Sequence, residues 1–359
     1  MNQRLIDSFM DLVRIDSESG NEQAFLSQLK RVLERELGGR CQIDAYGNLF
    51  ARFEARACAR FEPIVLASHA DTVKPGCNIE PVQENDVIRP KGATILGADN
   101  KAGIAEIMEA LRSAPKRPPI EWIITREEEI GLLGARNFDS SWLRGKIGFL
   151  LDSDEIDTLI VGGPTHVKLD VEVTGRGAHA GMEPEKGISA IQAAAYSISR
   201  MKLGRLDEES TANVGKISGG TVRNAIPEKA FVTAECRSLS HEKCLRQAEE
   251  MKNLFEEGAK IYGASADIKT TVSYRAMRIP EDAKPVTIAR RAIQDCGLAP
   301  KVKMMTGGTD AAIFNEKRIQ MVVMGMGVKR AHTVEEHINI QEMEKVVEIL
   351  RAIFADLCE

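Results

Sequence analysis

The sequence predicts an α/β fold that carries a smaller inserted α+β domain. Up to residue 164, short apolar runs rich in β-branched residues alternate with stripes of helical spacing, which is typical of a mixed α/β sheet layered by helices. Near Pro164 the strands begin to alternate apolar and polar residues, as strands with one exposed face do. The order β-α-β-β-α-β over residues 165–274 indicates a ferredoxin-like unit. We therefore expect a discontinuous α/β/α domain, residues 1–164 and 275–359, with residues 165–274 inserted.

The elements follow from the spacing of apolar residues along the chain. Stripes with helical spacing predict helices near residues 5–13, 25–37, 104–111, 186–202, 241–262, 285–296 and 343–354. Short β-branched or alternating runs predict strands near residues 49–53, 63–68, 120–124, 147–151, 167–173, 211–218, 229–237, 267–274 and 319–325. The run 49–53 alternates, so we expect it to be half-buried, whereas 63–68 is apolar throughout and should be buried.

The composition excludes several classes of protein. A chain of 359 residues is too long for one ordinary core, and 43% hydrophobic with 28% charged residues is typical of globular proteins. The net charge of −5 and the lack of a basic block argue against nucleic-acid binding. No apolar run predicts a membrane span or a signal peptide. Seven cysteines without a C-x-x-C pair predict free thiols and a cytoplasmic location.

Histidines and acids recur where predicted strands end or helices begin. His69 and Asp71 follow the strand at 63–68, Glu127–Glu129 follow the strand at 120–124, and Asp152 follows the strand at 147–151. Asp99 precedes a helix, where capping is its ordinary role, and three adjacent glutamates ordinarily mark a solvated helix start. One such placement is common. Four in succession indicate a shared site at the carboxyl ends of the strands.

These side chains have the chemistry of a metal site. With His332 from the C-terminal part, the set comprises His69, Asp71, Asp99, Glu128, Glu129, Asp152 and His332. Imidazole and carboxylate ligands suit Zn²⁺, Mn²⁺ or Co²⁺. A single zinc ion needs only three protein ligands, so the surplus predicts two ions that share one carboxylate. One of two adjacent glutamates can then bind metal while the other acts as general base. Asp71 could accept the second imidazole N–H of His69.

With these residues in place, the chain resembles the M20 family of dinuclear metallopeptidases, most closely its peptidase T (tripeptidase) branch. The resemblance covers essentially the whole chain. The motifs that carry it are Ser68–Val73, Gly97–Gly103, Glu128–Gly131, Leu151–Asp152, Gly307–Asp310 and His332–Thr333. Each motif is weak evidence alone, but their order and spacing together are very specific.

The resemblance implies five metal ligands. His69, Asp99 and Asp152 would hold one ion, while Asp99, Glu129 and His332 would hold the other, with Asp99 as the bridge. Two divalent ions per subunit are implied, with Zn²⁺ as the expected metal and Co²⁺ or Mn²⁺ as alternatives.

The resemblance also assigns catalytic and substrate-binding roles. Glu128 would be the general base, and Asp71 would orient the first metal-binding histidine. In the inserted domain, His179 matches a histidine that reaches the partner subunit's site to stabilise the oxyanion. Asn224 matches a substrate-binding asparagine, and Arg237 an arginine that holds a substrate carboxylate. His179 also lies in a glycine-rich stretch, so an ordinary turn is an alternative.

Some positions leave alternatives open. Glu127 stands where the family often has Asp, so it is a third acid beside the proposed base; Ile130–Gly131 fix the register in favour of Glu128. Asp154 competes with Asp152, which we prefer because it directly follows the apolar strand. Gly307–Gly308 could form a tight turn or a backbone cradle near the substrate.

The other histidines have ordinary interpretations. His332 competes with His337, which we expect on the surface. His166 and His241 are expected to have structural or solvated positions.

The expected function is hydrolysis of amide bonds in short peptides by a dinuclear metallopeptidase, as an aminopeptidase or tripeptidase. An N-acyl-amino-acid amidohydrolase or carboxypeptidase of the same family is the alternative, and a non-catalytic binding protein on this fold is a second. We expect a homodimer formed through the inserted lid/dimerisation domain, and neither nucleic acid nor membrane as a partner.

Overall fold

The computed structural model describes residues 2–60 and 62–359, and the chain forms two compact units. The first unit contains the chain as far as Gly162, together with Arg278–Met305 and Thr309–Glu359. The second unit contains Gly163–Met277 and Thr306–Gly308.

The helices are α1 Gln3–Val13, α2 Gln23–Leu37, α3 Ala98–Ser113, α4 Leu133–Asn137, α5 Ala190–Arg200, α6 His241–Ile261, α7 Lys284–Asp295, α8 Asp310–Glu316 and α9 Ile340–Asp356. The strands are β1 Arg40–Ile43, β2 Leu49–Phe53, β3 Ile64–His69, β4 Pro81–Glu84, β5 Val87–Pro90, β6 Ile120–Thr125, β7 Ile147–Ser153, β8 Thr158–Gly163, β9 Thr165–Thr174, β10 Ala178–His179, β11 Gly204–Arg205, β12 Ser210–Gly219, β13 Ala225–Ile226, β14 Lys229–Ser238, β15 Ser265–Tyr274, β16 Met277–Arg278, β17 Lys301–Met304, β18 Gln320–Gly325, β19 Val328–Lys329 and β20 His337–Asn339.

A mixed sheet forms the centre of the first unit, in the order β1-β2-β6-β3-β7-β18-β8-β16, with β17 beside β8. The strands β6, β3, β7 and β18 run parallel to their neighbours within this group, whereas β1, β2 and β8 introduce antiparallel pairs. The four parallel strands are continuous apolar runs because both of their faces are covered. The predicted α/β class is confirmed.

The helices of the first unit bury their apolar stripes in one core with the sheet. In α1, Leu5 and Phe9 are fully buried, and in α9 so are Leu350 and Phe354. The helix α2 ends at Gly38, whose φ of 69° is a left-handed conformation that glycine adopts without steric cost. A separate small sheet, β19-β20-β5-β4, belongs to the same unit.

The second unit is a five-stranded antiparallel sheet, β11-β12-β14-β9-β15, with α5 and α6 packed against it. Its β-α-β-β-α-β order is that of the predicted ferredoxin-like pattern. The alternation of β9 holds in the structure, since Val167, Leu169, Val171 and Val173 are buried against the helices.

Two expectations from the sequence are wrong. The strand β2 is not half-buried, because Phe50 is 1% exposed and packs beside Phe138 on the face opposite Ala51. Cys58 and Cys358 form a disulfide, so these two thiols are not free. The pairing joins positions 300 residues apart, which spacing along the chain could not reveal.

The other five cysteines are free. Among the described residues, no helix is both long and apolar enough to cross a membrane.

Candidate metal centre

The parallel strands of the first unit bring several acids and a histidine to one edge of the sheet. His69 is the last residue of β3 and lies in register with Thr125, the last residue of β6. Asp152 lies near the end of β7, which pairs with β3 on its other side. Since these strands are parallel, their carboxyl ends meet at the same edge, and the residues that follow them become neighbours.

Asp99 lies between the two candidate histidines. Its Oδ1 is 3.0 Å from Nε2 of His69, and its Oδ2 is 3.3 Å from Nε2 of His332. Each carboxylate oxygen therefore faces a different imidazole, which is the arrangement that a bridging ligand requires. Asp99 does not cap α3 through its side chain, and its φ of −80° and ψ of 104° place it outside helical geometry.

Two further acids complete two groups of three ligands. Asp152 Oδ1 is 3.6 Å from Nε2 of His69, and Glu129 Oε1 is 2.8 Å from Nε2 of His332. In each group, the potential ligand atoms lie within 4.8 Å of one another, and Asp99 belongs to both. Nitrogen and oxygen donors at such spacing fit a pair of divalent cations.

Asp71 has more contacts than the sequence predicted. Nδ1 of His69 is 2.9 Å from the main-chain carbonyl oxygen of Asp71 and 3.4 Å from its carboxylate. The carboxylate accepts the main-chain N–H groups of Glu128 and Glu129 at 2.9 and 3.1 Å, and the hydroxyl of Ser19 at 2.7 Å. One fully buried acid thus orients the imidazole of His69 through its main chain and the glutamate pair through its side chain.

Glu336 holds the segment that carries Asp99. Its Oε2 accepts the N–H groups of Leu96 and Gly97, both at 2.8 Å, and its Oε1 accepts the N–H of Asp99 at 3.1 Å. The loop that carries Glu336 also carries His332. Burial raises the pKa of Glu336 to about 7, although the three N–H donors act against this rise.

Asp152 is held from two sides. Thr309 donates its hydroxyl to Asp152 Oδ2 at 2.6 Å, and the Asn100 side-chain amide donates to Oδ1 at 3.1 Å. The neighbouring Asp310 is fully buried and accepts the hydroxyl of Thr125 at 2.5 Å. Burial and the charge of Asp152 raise the pKa of Asp310 to about 7.

The electrostatics show a concentration of negative charge that cations would neutralise. Burial raises the pKa of Glu128 well above its ordinary value, and the charges of Asp152, Asp310 and Glu129 add to this rise. Hydrogen bonds to Asp99 and Glu129 raise the pKa of His332 to about 10. Burial opposes protonation of His69, but its hydrogen bonds to acids outweigh burial and raise its pKa.

The rival acids lie outside the metal-ligand groups. Glu127 accepts a hydrogen bond from the hydroxyl of Tyr46, and its main chain has a φ of 53°. Asp154 is exposed beyond the end of β7. Partial burial and the charge of Asp99 raise the pKa of Asp154. His337 lies in β20, with Nδ1 2.8 Å from the carbonyl oxygen of Glu335.

The predicted substrate-binding residues belong to the second unit. His179 pairs with Ala225 between β10 and β13, which brings Asn224 alongside. Nδ1 of His179 accepts the N–H groups of Gly181 and Met182, both at 3.2 Å, so the proton of the neutral ring lies on Nε2.

Arg237 lies in β14, where its guanidinium donates to both carboxylate oxygens of Glu235 at 3.2 Å. His166 contacts the same carboxylate at 2.8 Å, and His241 contacts the hydroxyl of Thr165 at 3.1 Å. Gly308 lies against the ring of Tyr274, where a Cβ would come within 2.4 Å, so this position requires glycine for close packing.

Sequence reasoning assigned no role to several residues that hold the site: Ser19, Glu22, Asn48, Thr309, which stands in the motif Gly307–Asp310, and Glu336. Their partners are main-chain N–H groups or side chains far away along the chain, and no local pattern predicts such bonds. One local pattern could have indicated part of this set. The polar residues Ser19-Gly20-Asn21-Glu22 directly precede α2, where side chains often bond to main-chain groups.

Comparison with known proteins identifies similar chains and structures. The chain is 38% identical over 367 residues to the uncharacterized protein YqjE of Bacillus subtilis, covering 99% of this chain and 98% of the relative. It resembles the crystal structure of aminopeptidase PepT from Bacillus cereus, with a TM-score of 0.88 and 36% identity over 99% of both chains. It also resembles a tripeptidase from Staphylococcus aureus, with a TM-score of 0.90 and 32% identity over 99% and 98% of the two chains.

The sequence profile of peptidase family M20/M25/M40 matches residues 65–356, and with it the resemblance seen in the sequence motifs is confirmed. The chain belongs to peptidase family M20/M25/M40.

Proposed function

We propose that the protein is a dinuclear metal-dependent aminopeptidase that hydrolyses short peptides, with tripeptides as the preferred class. The observation that carries this proposal is Asp99, whose two carboxylate oxygens face the imidazoles of His69 and His332 separately. A single shared carboxylate between two ligand groups is the arrangement that holds paired divalent ions. The similarity to an aminopeptidase and a tripeptidase supports the choice of substrate.

His69, Asp99 and Asp152 would hold one ion, and Asp99, Glu129 and His332 the other. Zn²⁺ is the proposed metal, because imidazole nitrogen and carboxylate oxygen are ligands that it accepts. When bound, the ions would supply Lewis acidity, which polarises a carbonyl group and lowers the pKa of water.

Glu128 is the proposed general base. It lies next to Glu129 on a loop whose N–H groups are fixed by Asp71, and it forms a third potential ligand group with His69 and Glu129. It is 8% exposed, so a water molecule can reach it while bulk solvent is largely excluded. Glu128 would take the proton of the attacking water and deliver it to the leaving amine.

The alternative is an N-acyl-amino-acid amidohydrolase or carboxypeptidase, in which an apolar pocket replaces amine recognition. Asp154 favours the aminopeptidase. It is an exposed carboxylate two residues beyond Asp152, and the charges that act on it include those of Asp99 and Lys329. An exposed carboxylate at this position suits the positively charged amino group of a peptide.

The second unit is proposed as a lid and dimerisation domain within the boundaries 165–274. There, the exposed His179 would donate its Nε2–H to an oxyanion, and Asn224 and Arg237 would bind the substrate. A homodimer would allow His179 to act in the partner's site. A cytoplasmic location is part of the same proposal.

The test is metal content and hydrolysis in one purified preparation. We expect two divalent ions per chain and release of amino acids from tripeptides. A chelator should remove the ions and abolish the hydrolysis. The Glu128→Gln variant should retain its ions and lose about 10²–10⁴-fold in kcat. Glu127→Gln is the matched control, since its carboxylate contacts Tyr46 rather than the ligand groups, and it should retain most activity.

An active protein without metal would refute the dinuclear proposal, and full activity of Glu128→Gln would remove this residue from its role. Preference for N-acetyl amino acids over tripeptides and dipeptides would favour the amidohydrolase. Metal-free protein that binds but never cleaves these compounds would favour a non-catalytic binding protein.

A further inference from the structure

The loop that carries the glutamate pair has an unusual pattern of main-chain hydrogen bonds. Its carbonyl groups are bonded locally, since the N–H groups of Gly134, Leu133 and Leu132 bond to the carbonyl oxygens of Arg126, Glu127 and Glu128 in turn. Its N–H groups have no such local partners. Each of the four from Arg126 to Glu129 donates instead to a side chain that comes from another part of the chain.

These four acceptors come from three residues. The N–H of Arg126 donates to Asn48 at 3.0 Å, and the N–H of Glu127 donates to Glu22 at 3.2 Å. The next two N–H groups donate to Asp71. Asn48, Glu22 and Asp71 are all fully buried, so no water competes for these bonds. The position of the loop therefore depends on side chains that do not touch the proposed metal ions.

Glu22 contributes most to this arrangement outside the recognised motifs. Its Oε1 accepts the N–H groups of Gly20 and Glu127, and its Oε2 accepts Nε and Nη2 of Arg126 at 2.9 and 2.8 Å. The same guanidinium donates to the carbonyl oxygens of Gly20 and Tyr46. Arg126 thus ties the glutamate loop to two other segments, and Glu22 balances its charge.

The segment that carries Glu22 also reaches Asp71. The hydroxyl of Ser19 donates to Asp71 Oδ2, and the main chain of this segment pairs with Thr72 through Ser17 and Ser19. Both acidic acceptors of the glutamate loop are consequently fixed by residues 17–22.

We infer that Glu22 is a positioning residue for Glu128 and Glu129, and that Ser19 supports it through Asp71. This inference rests on the proposed function, because it assigns Glu22 an effect on the step in which Glu128 acts as base. Displacement of a reacting group by about 1 Å can cost on the order of 10²-fold in rate. Loss of Glu22 should therefore lower kcat, while the ions remain bound because four of the five proposed ligands, His69, Asp99, Asp152 and His332, lie on other segments.

The test is Glu22→Gln, with Glu109→Gln as the matched control. The amide keeps one oxygen for the N–H of Glu127 but directs its NH₂ group at the donors of Arg126. Glu109 is also a buried acid that accepts two bonds from one arginine, Arg4, at 2.8 and 2.7 Å. It lies ten residues beyond Asp99 in α3, which corresponds to about 15 Å of helix.

We expect Glu22→Gln to lower kcat by about 10–100-fold, with KM and metal content within about twofold of the wild type. Amide hydrogen exchange over residues 124–132 should accelerate at least about tenfold, because loss of the bonds from Arg126 to Oε2 loosens the loop and its N–H groups then open more often. The Glu109→Gln variant should show neither change, even if its thermal stability falls as far. Ser19→Ala, a milder change, should alter both measurements in the same direction by a smaller factor.

Unchanged kcat and exchange in Glu22→Gln would overturn the inference, as would equal changes in Glu109→Gln. If Glu22→Gln does not fold, Ser19→Ala decides by the same two measurements. If the wild-type protein hydrolyses no peptide, the proposed function fails, and exchange at residues 124–132 still decides whether Glu22 holds the loop.

Discussion

Several buried acids in this protein act as acceptors for main-chain N–H groups. Asp71, Glu22 and Glu336 follow this pattern around the candidate metal centre, and Glu121 does so elsewhere, with the N–H groups of Arg144 and Gly145. An ionised carboxylate that is withdrawn from water needs several donors to remain stable, and turns of the main chain supply them. The ligand side chains are therefore placed by acids that would not themselves bind metal.

Asp154 provides a test of substrate recognition at the scale of one residue. Asp154→Asn should raise KM for tripeptides by about 10–100-fold, because a charge-assisted bond to the amino group contributes about 1.5–3 kcal/mol. The kcat should change little. For N-acetylated peptides, which lack the charged amine, KM should stay the same.

Glu155→Gln is the control for the Asp154 experiment, because it removes the same charge one residue further along, where Lys303 already pairs with the acid at 2.8 Å. An equal rise of KM for free and acetylated peptides in Asp154→Asn would contradict amine recognition.

The residues that could be predicted from sequence were those that stand in short motifs. His69, Asp99, Glu129, Asp152 and His332 were expected to share a site, and the structure brings them together. The holding residues were not predictable, since their partners lie 52 to 240 residues away along the chain.

At the scale of elements, α3 combines two different demands. Its first residues carry Asp99, while further along Glu106 is fully buried, and neither of its carboxylate oxygens has a hydrogen-bond partner within the described chain. Burial raises the pKa of Glu106 well above its ordinary value, and the charge of Glu342 on α9 adds to the rise. At a pH where the carboxyl of Glu106 ionises in the unfolded chain but stays protonated in the native state, its burial lowers the free energy of unfolding.

Glu106→Gln should remove a dependence of stability on pH. In the unfolded chain the carboxyl of Glu106 ionises at about pH 4.3, whereas in the native state this carboxyl keeps its proton to a higher pH. Between these values the native state binds the extra proton, so the free energy of unfolding falls by about 1.4 kcal/mol per pH unit as pH rises. Relative to the wild type, the variant should therefore gain stability from pH 5 to pH 8 in urea unfolding.

Glu109→Gln on the same helix is the control. Burial opposes ionisation of Glu109, but the hydrogen bond from Arg4 outweighs it and lowers the pKa. Its stabilising contribution is therefore already complete at pH 5, so this variant should lose a constant amount from pH 5 to pH 8. Parallel curves for Glu106→Gln and the wild type would show that Glu106 is ionised in the native state.

Long helices with a regular apolar pattern were predicted well, but several short elements were missed. The prediction located α1, α2, α6 and α9, but it missed β1, β8, β17 and the seven-residue α8. A short strand exists because of its neighbours: β8 pairs with both β17 and β18, which are far away along the chain. Seven residues are also too few to establish a helical period.

At the scale of the whole molecule, the disulfide between Cys58 and Cys358 links the early part of the first unit to its C-terminus. A cross-link between distant positions restricts the unfolded chain, and native disulfides typically contribute about 2–4 kcal/mol. The disulfide contradicts the expectation, drawn from the number and spacing of the cysteines, that all of the thiols are free.

Thiol titration of denatured protein measures this bond directly. We expect five thiols per chain before reduction and seven afterwards. Replacing both Cys58 and Cys358 by serine should lower the free energy of unfolding under oxidising conditions by about 2–4 kcal/mol. Cys77→Ser, at an exposed free cysteine, is the control and should cost little. Seven thiols before reduction would show that the bond does not form.

The sequence by itself determined the α/β class, the order of the main elements, the family and the set of histidines and acids that the fold brings together. Each of these follows from local patterns: apolar period, strand-end position and short motifs. The tertiary structure alone decided that Glu127 points to Tyr46, that β2 is covered on both faces, that two cysteines pair, and that Glu22 and Glu336 hold the loops of the site. These features depend on contacts between segments that are distant along the chain. Such contacts form only in the folded protein, so local sequence patterns do not predict them.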